Sequence, residues 1–395
     1  MKPMGAIPLE FQSFPLSIGG RPVEEFLTSS PVFVYDMSIV RSRIARFRAA
    51  FPSIDLHYAV KANPFSPLLA AMVPLVDGFD VASAGELARV ATLGKAVSFA
   101  GPGKTDAELD AAISAGVTIN LESENESDRA IAVADRLGVT PRLAVRVNPE
   151  FELRGSGMRM GGRASPFGVD AERVPALVKR ILAAGAEWGG FHIFAGSQAL
   201  DPSAIIDSQA HTLDLAVRLA EAAGASPPFV NLGGGFGVPY FPGEQVLDIA
   251  AIGAALTPRL GMLPDTRFAI ELGRWLVGEA GVYLTRIVDR KESRGETFLV
   301  CDGGLNHQLA ATGNLGTVVR RNYPVAVGTA APDAKREIVS VVGPLCTPLD
   351  RLADQVELPV AGPGDVIAIF MAGAYGLSAS PWEFLGHPRP AEILV

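Results

Sequence analysis

The stretch LHYAVKANP, residues 56–64, runs from an apolar, strand-like segment into Lys61 and then a polar turn closed by Pro64. Seven more short apolar segments end in the same manner, in glycine or polar residues: FDVAS from Phe79, VSFAG from Val97, TINLES from Thr118, LAVRVN from Leu143, GFHIFAG from Gly190, FVNLGGG from Phe229 and FAIELG from Phe268. Segments of helical spacing lie between them. In TDAELDAAISAG, from Thr105, Leu109, Ala112 and Ile113 share one face and Gly116 follows as a stop. Another helix precedes the first strand, with Val40, Ile44, Phe47 and Phe51 on one side and Asp36 or Ser38 as its cap. Strands alternating with helices eight times is the order of a parallel (β/α)8 barrel, an α/β fold. A doubly wound sheet is the rival, because the order of strands in space is not written in the sequence.

After Gly273 the rhythm changes. VYLTRIVDR, TFLVCDGG, EIVSVVG and DVIAIFMAG have strand character without long helices between them, which predicts a second, all-β domain of sandwich or barrel type. The expected division is an N-terminal segment, 1–31, joining the β domain, a barrel over 32–275 and the β domain over 276–395. The insertion PEFELRGSGMRMGGRASPFG, residues 149–168, reads as a functional loop. Its Arg154, Arg159 and Arg163 are either a docking patch or a solvated surface.

Bulk properties narrow the function. The chain has 395 residues, 48% hydrophobic and 19% charged, long enough for a large domain plus a smaller one. A net charge of -8 opposes sequence-independent binding to nucleic acid or an anionic membrane. Cys301 and Cys346 are the two cysteines, with no paired CxxC spacing, so no disulfide scaffold or metal site is expected. Pro3, Pro8 and Pro15 interrupt the N-terminus, which is wrong for a signal peptide, and no apolar run reaches membrane length. A cytoplasmic enzyme acting on a small molecule is the expectation.

Chemistry in such a barrel gathers where the strands end. Lys61 closes the first, where a partly desolvated amine would be suited to Schiff-base chemistry. The seventh runs into Gly233, Gly234, Gly235, Phe236 and Gly237, whose amides suit a phosphate. Val238 stands where a dinucleotide fingerprint needs its last glycine, which disfavours that reading. The eighth supplies Glu271, Gly273 and Arg274, a carboxylate for a pyridine nitrogen and a guanidinium for phosphate. On the sixth, His192, Phe194 and Gly196 alternate onto one face ahead of Ser197. A Schiff-base lysine, phosphate loop, ring-nitrogen carboxylate and stacking aromatic together describe a pyridoxal 5'-phosphate site.

With these positions in hand, the chain resembles the fold type III pyridoxal phosphate decarboxylases, the group acting on ornithine, arginine and diaminopimelate. The resemblance rests on YAVKANP, FDVASAGEL, GSQ at Gly196, GGGFG, ELGR, GPLC at Gly343 and GAYG at Gly373. It implies that Lys61 carries the cofactor as a Schiff base. Gly233 to Gly237, Ser197 and Arg274 would hold its phosphate, Glu271 its ring nitrogen, and Tyr375 would touch the cofactor region. Asp80 and Arg146 match positions lining the site. Cys346 matches a cysteine that reaches into the partner subunit's site, which implies a head-to-tail homodimer with shared sites and makes Cys346 the first candidate for reprotonating the substrate carbon.

Departures from the pattern bear on substrate. Phe194 stands where the family has its stacking histidine, with His192 one strand repeat earlier. Thr347 follows Cys346 where the ornithine and diaminopimelate enzymes have an acidic residue for a distal ammonium. The stretch DGGLNHQLAATGNLG, which contains His307, lacks the arginine that diaminopimelate enzymes use on a distal carboxylate. Thr347, His307 and Arg159 are the candidate substrate contacts. These features are closer to the branch with the butirosin-pathway decarboxylase of L-glutamyl groups held on an acyl carrier protein, so the expected partner is an amino acid or an aminoacyl carrier protein. An amino-acid racemase is disfavoured by Glu271, and a catalytically silent homologue by the retained Lys61, glycine loop, Glu271 and Arg274.

Overall fold

The computed structural model describes residues 1–159, 161–313 and 321–395, with 158 and 159 described by backbone alone. Two compact units are present, one of Ile44–Gly237 and Leu247–Gly273, the other of Met1–Arg43, Val238–Val246 and Arg274–Val395.

In the first unit the eight expected strands all form: Asp55–Ala59, Gly78–Val81, Ala96–Phe99, Thr118–Leu121, Arg142–Asn148, Glu187–Ile193, Phe229–Asn231 and Arg267–Leu272. All pair in parallel, and the first is hydrogen-bonded to both the second and the eighth, which closes the ring. The doubly wound alternative is thereby excluded. Apolar residues such as Leu56, Tyr58, Phe79, Ile119, Val145 and Ile270 are buried along these strands.

Local signals set the helices between them. Thr105 and Glu108 form a reciprocal capping box on Asp106–Ser114, whose Leu109, Ala112 and Ile113 are buried as their spacing predicts. Ser123 caps Glu124–Leu137, which ends on Gly138 at φ +67°. Asp36 receives the amide of Ser38 at 2.8 Å at the start of Met37–Ala50. The 149–168 insertion is less open than a plain loop, since 158–159 pair antiparallel with Gly196–Ser197.

The second unit is built on an eight-stranded, largely antiparallel sheet curled into a nearly closed β-barrel. Its N-terminal strand is Val32–Tyr35, which pairs antiparallel with residues 281–284 and parallel with Ala391–Leu394. Residues 32–35 were expected to open the catalytic barrel; their backbone hydrogen bonds place them in the β unit instead. Among the described residues, no helix is long and apolar enough to cross a membrane.

Candidate active site

The turn after the first barrel strand is built by its own sequence. The Tyr58 hydroxyl donates to the Asn63 carbonyl at 3.0 Å, the Asn63 amide to the Val60 carbonyl at 3.1 Å, and the Asn63 side chain accepts the Phe65 amide at 3.1 Å. This fixes the single turn Val60–Ala62 and lifts Lys61 above the strand end. Lys61 is exposed in this chain rather than desolvated, with its amine 5.5 Å from the centre of the Phe194 ring. Gly273 serves the same turn: a Cβ there would stand 2.7 Å from the Ala62 methyl.

Lys61, Asp80, Arg146, His192 and Glu271, from five strand ends, line one cavity of about 310 Å³, which is in the range of small-molecule sites. Glu271 is buried and accepts from Asn231 at 3.3 Å, with its Oε2 3.0 Å from His192 Nε2. Burial alone would raise its pKa, but His192, Lys61 and Arg146 outweigh that and hold the carboxyl well below the usual range, so it is ionised. The face of Phe167 lies 5.0 Å below the Arg146 guanidinium, whose Nη1 donates to Glu122 at 2.9 Å. Behind it, Lys104 donates to Glu126 at 2.7 Å and to the carbonyls of Gly101 and Asn120 at 2.8 and 2.9 Å. Two buried cations thus meet two buried anions.

The seventh strand ends in backbone-on-backbone packing. A Cβ on Gly234 would lie 1.8 Å from the Glu271 carbonyl oxygen, and one on Gly235 2.3 Å from that of Gly196. Gly233 and Gly235 also hold φ of +72° and +84°. The Gly234 and Gly235 amides donate to no acceptor among the described residues. The side chain of Phe236 is buried, 6.0 Å from Phe51 between ring centres, so only its backbone faces a ligand. Gln198, which follows Ser197, takes φ +62°, a conformation that non-glycine residues hold only where their surroundings impose it.

In the β unit, Arg274 lies 4.6 Å from the centre of the Tyr375 ring and donates to the Tyr240 hydroxyl at 3.1 Å. Among the described residues, its Nε is buried without a partner. Tyr375 is another non-glycine residue at positive φ, +53°. Cys346 is exposed, and Thr347 receives the Leu349 amide on its hydroxyl at 3.3 Å. Buried Asp350 anchors this turn by accepting the amides of Leu305 at 2.6 Å and Leu345 at 2.8 Å. His307 is a core residue here, not an open substrate ligand: it is 1% exposed, with Nδ1 3.1 Å from the Tyr283 hydroxyl and Nε2 3.1 Å from the Pro388 carbonyl.

The side chain of Arg159 and residues 314–316 of DGGLNHQLAATGNLG lie outside the described residues. Arg163 is ion-paired with Glu152 at 2.9 Å, which leaves exposed Arg154 as the remaining described arginine of the expected patch. Sequence reading missed His57, whose Nδ1 is 3.2 Å from Asp80, as well as Tyr240, Asp350 and the Lys104–Glu126 pair. The signal for Asp350 was its place directly after the second PL in GPLCTPLD; the others need the fold.

Pyridoxal phosphate fits these residues. The cavity holds an amine, an ionised buried carboxylate and His192 Nδ1, which among the described residues is buried with no partner, while the Gly234 and Gly235 amides, after the strand between those of His192 and Glu271, meet no acceptor among the described residues.

Residues 37–278 match the family model described as pyridoxal-dependent decarboxylase, pyridoxal binding domain. The chain is 37% identical to the L-glutamyl-[BtrI acyl-carrier protein] decarboxylase of Niallia circulans, over 92% of this chain and 88% of that one. It is 32% identical to the diaminopimelate decarboxylase of Methanothermobacter thermautotrophicus, over 96% and 90%. The crystal structure of diaminopimelate decarboxylase from M. jannaschii in co-complex with L-lysine superposes with a TM-score of 0.87 at 26% identity, covering 99% of this chain and 92% of that one. With its closed barrel and its lysine, carboxylate and glycine loop in one unit, the chain belongs to the pyridoxal-dependent decarboxylases, as a carboxy-lyase of amino acid or aminoacyl substrates.

Proposed function

We propose that the substrate is an aminoacyl group tethered to an acyl carrier protein. The observation that carries this reading is the chemistry of the turn after Gly343. A free diamino acid needs a carboxylate for its distal ammonium, and the position after Cys346 offers only the Thr347 hydroxyl. Asp350, the next acid in the sequence, is buried and spent on the Leu305 and Leu345 amides. The similarity to a decarboxylase of carrier-bound L-glutamyl groups supports the same reading.

When bound, pyridoxal phosphate supplies an electron sink for the pair left on the substrate carbon as CO2 departs. In this proposal Lys61 would hold the cofactor through its aldehyde group. Glu271, kept ionised by His192, would hold a proton on the ring nitrogen, and the glycine loop, Ser197 and Arg274 would take the phosphate. Phe194 offers an aromatic face without the proton-handling capacity of a histidine. Asp80 and Arg146 line the site. Exposed Cys346 reaches a partner subunit's site in a head-to-tail homodimer and is the first candidate for reprotonating the carbon.

The test is CO2 release by cofactor-loaded protein, offered free ornithine, lysine, arginine, diaminopimelate and glutamate or the same acyl groups on a carrier protein. Release confined to tethered substrates is the expected result. Turnover of a free diamino acid at comparable kcat/KM overturns the tethered reading and shows that the distal ammonium is met elsewhere.

A further inference from the structure

A second cavity, of about 340 Å³, occupies the opposite, N-terminal end of the same barrel, lined by His57, Ser98, Asn120 and Asn231. Barrel bottoms are usually packed shut. Here small residues, Ala96, Ala144 and Gly189, keep it open, and charged pairs such as Asp55–Arg267 stand among its lining residues.

Two side-chain contacts join this lower cavity to the upper one. Asn231, in the lower lining, donates to Glu271 in the upper lining at 3.3 Å, and an amide does not carry a proton through. His57, in the lower lining, has its Nδ1 3.2 Å from Asp80 Oδ1, and Asp80 lines the upper cavity with Lys61. Among the described residues, Asp80 Oδ2 is buried with no partner and His57 Nε2 makes no hydrogen bond. The pair is therefore open at both ends. The sequence makes room for it at Gly78, where a Cβ would stand 2.6 Å from the His57 ring.

Decarboxylation consumes one proton per turnover: the C–C bond breaks, its electron pair stays on the substrate carbon, and that carbon takes up H+. We propose that His57 and Asp80 form a proton inlet through the floor of the barrel, resupplying the cofactor cavity from water in the lower cavity. Protonated His57 gives its Nδ1 proton to Asp80, Asp80 releases it into the upper cavity, and exchange with lower-cavity water restores the imidazolium. One proton enters for each CO2 that leaves. His57 is a positioning and relay residue, since it does not line the upper cavity.

The electrostatics support the pairing. Burial pulls the His57 pKa down, but Asp80, by charge and hydrogen bond, then Asp55 and Glu271 more than offset it, and the value ends above that of an ordinary histidine. Asp77, a further acid in the lower lining that interacts with the His57 charge, is itself tied to Arg48 at 2.6 Å. The charged, donating form of the imidazole is thus favoured relative to an ordinary histidine.

The inference rests on the decarboxylase reaction, and its test separates the two. Histidine side-chain NMR of the holoenzyme should show His57 titrating above the ordinary value and falling in Asp80→Asn. His57→Ala should lower CO2 release about tenfold in dilute buffer at pH 8, with cofactor absorbance unchanged, and added imidazole should restore most of it. His57→Gln, which fills the space, should show the loss without the rescue and serves if the alanine variant does not fold. An unshifted His57 indifferent to Asp80→Asn overturns the inlet, as do variants within twofold of wild type, or a loss in His57→Ala that imidazole leaves unrepaired. A wild-type protein that releases no CO2 from any substrate refutes the catalytic reading instead, while the NMR arm still judges the pair.

Discussion

Asp350→Asn should unlock the turn that carries Cys346 and Thr347. The carboxylate receives the Leu305 amide on Oδ1 at 2.6 Å and the Leu345 amide on Oδ2 at 2.8 Å. Both are charge-assisted bonds in a buried place, each contributing about 1.5–3 kcal/mol. Asparagine keeps one acceptor and turns an NH2 group toward the other amide, so about 2–4 kcal/mol should be lost. Relaxation cannot recover it cheaply, because the glycines on either side are already in contact: Cβ atoms on Gly304 and Gly343 would stand 2.1 and 2.3 Å from the carboxylate oxygens. The assay is amide hydrogen exchange at Leu305 and Leu345 alongside urea unfolding, which separates a local opening from loss of the whole unit. The reasoning is refuted if both amides keep wild-type protection and stability changes by less than about 0.5 kcal/mol.

Four further outcomes follow from the same geometry. Burial lowers the pKa of His307 to about 4, against some help from the Pro388 carbonyl, so between that value and the ordinary 6.5 the unfolded chain binds a proton that the folded chain refuses. Stability should fall as pH drops through this window, by at most ~3 kcal/mol, and His307→Asn should flatten that limb of the pH–stability curve. Gly234→Ala should abolish cofactor absorbance or folding, since its methyl would overlap the Glu271 carbonyl at 1.8 Å; a soluble variant with normal cofactor uptake would show that the loop yields. Lys104→Met should cost about 3–5 kcal/mol by stranding Glu126, and adding Glu126→Leu should recover most of it in a double-mutant cycle. Lys61→Ala should lose the borohydride-reducible Schiff-base absorbance while keeping wild-type circular dichroism, and persistence of that absorbance would place the cofactor on another amine.

The barrel was legible because its strands repeat one rule, an apolar run stopped by a polar or glycine residue, and because segments such as that from Thr105 keep helical spacing up to a glycine stop. Glu271 and Lys61 were legible as residues of unusual type at strand ends. His57 was not: within LHYAV it occupies a strand position that a core histidine fills equally well, and its meaning comes from Gly78 and Asp80 on a neighbouring strand. The strand at Val32–Tyr35 was assigned to the wrong unit for a related reason, since four buried apolar residues suit either sheet and only pairing decides. His307 was singled out by its place in a motif, a criterion blind to burial.

Glu271 pairs in register with His57, and Leu272 with Tyr58, along the junction of the eighth and first barrel strands. The lysine and the carboxylate therefore stand on opposite sides of a seam whose two edges are separated by almost the whole barrel in chain order. A nascent chain carries Lys61 long before it carries its counter-charge, and a barrel lacking the last strand has half a site at each free edge. Cofactor capture is thus a readout of closure: a chain that has not sewn this seam has no buried carboxylate in the cavity of its lysine, so ligand binding stabilises only the completed circle.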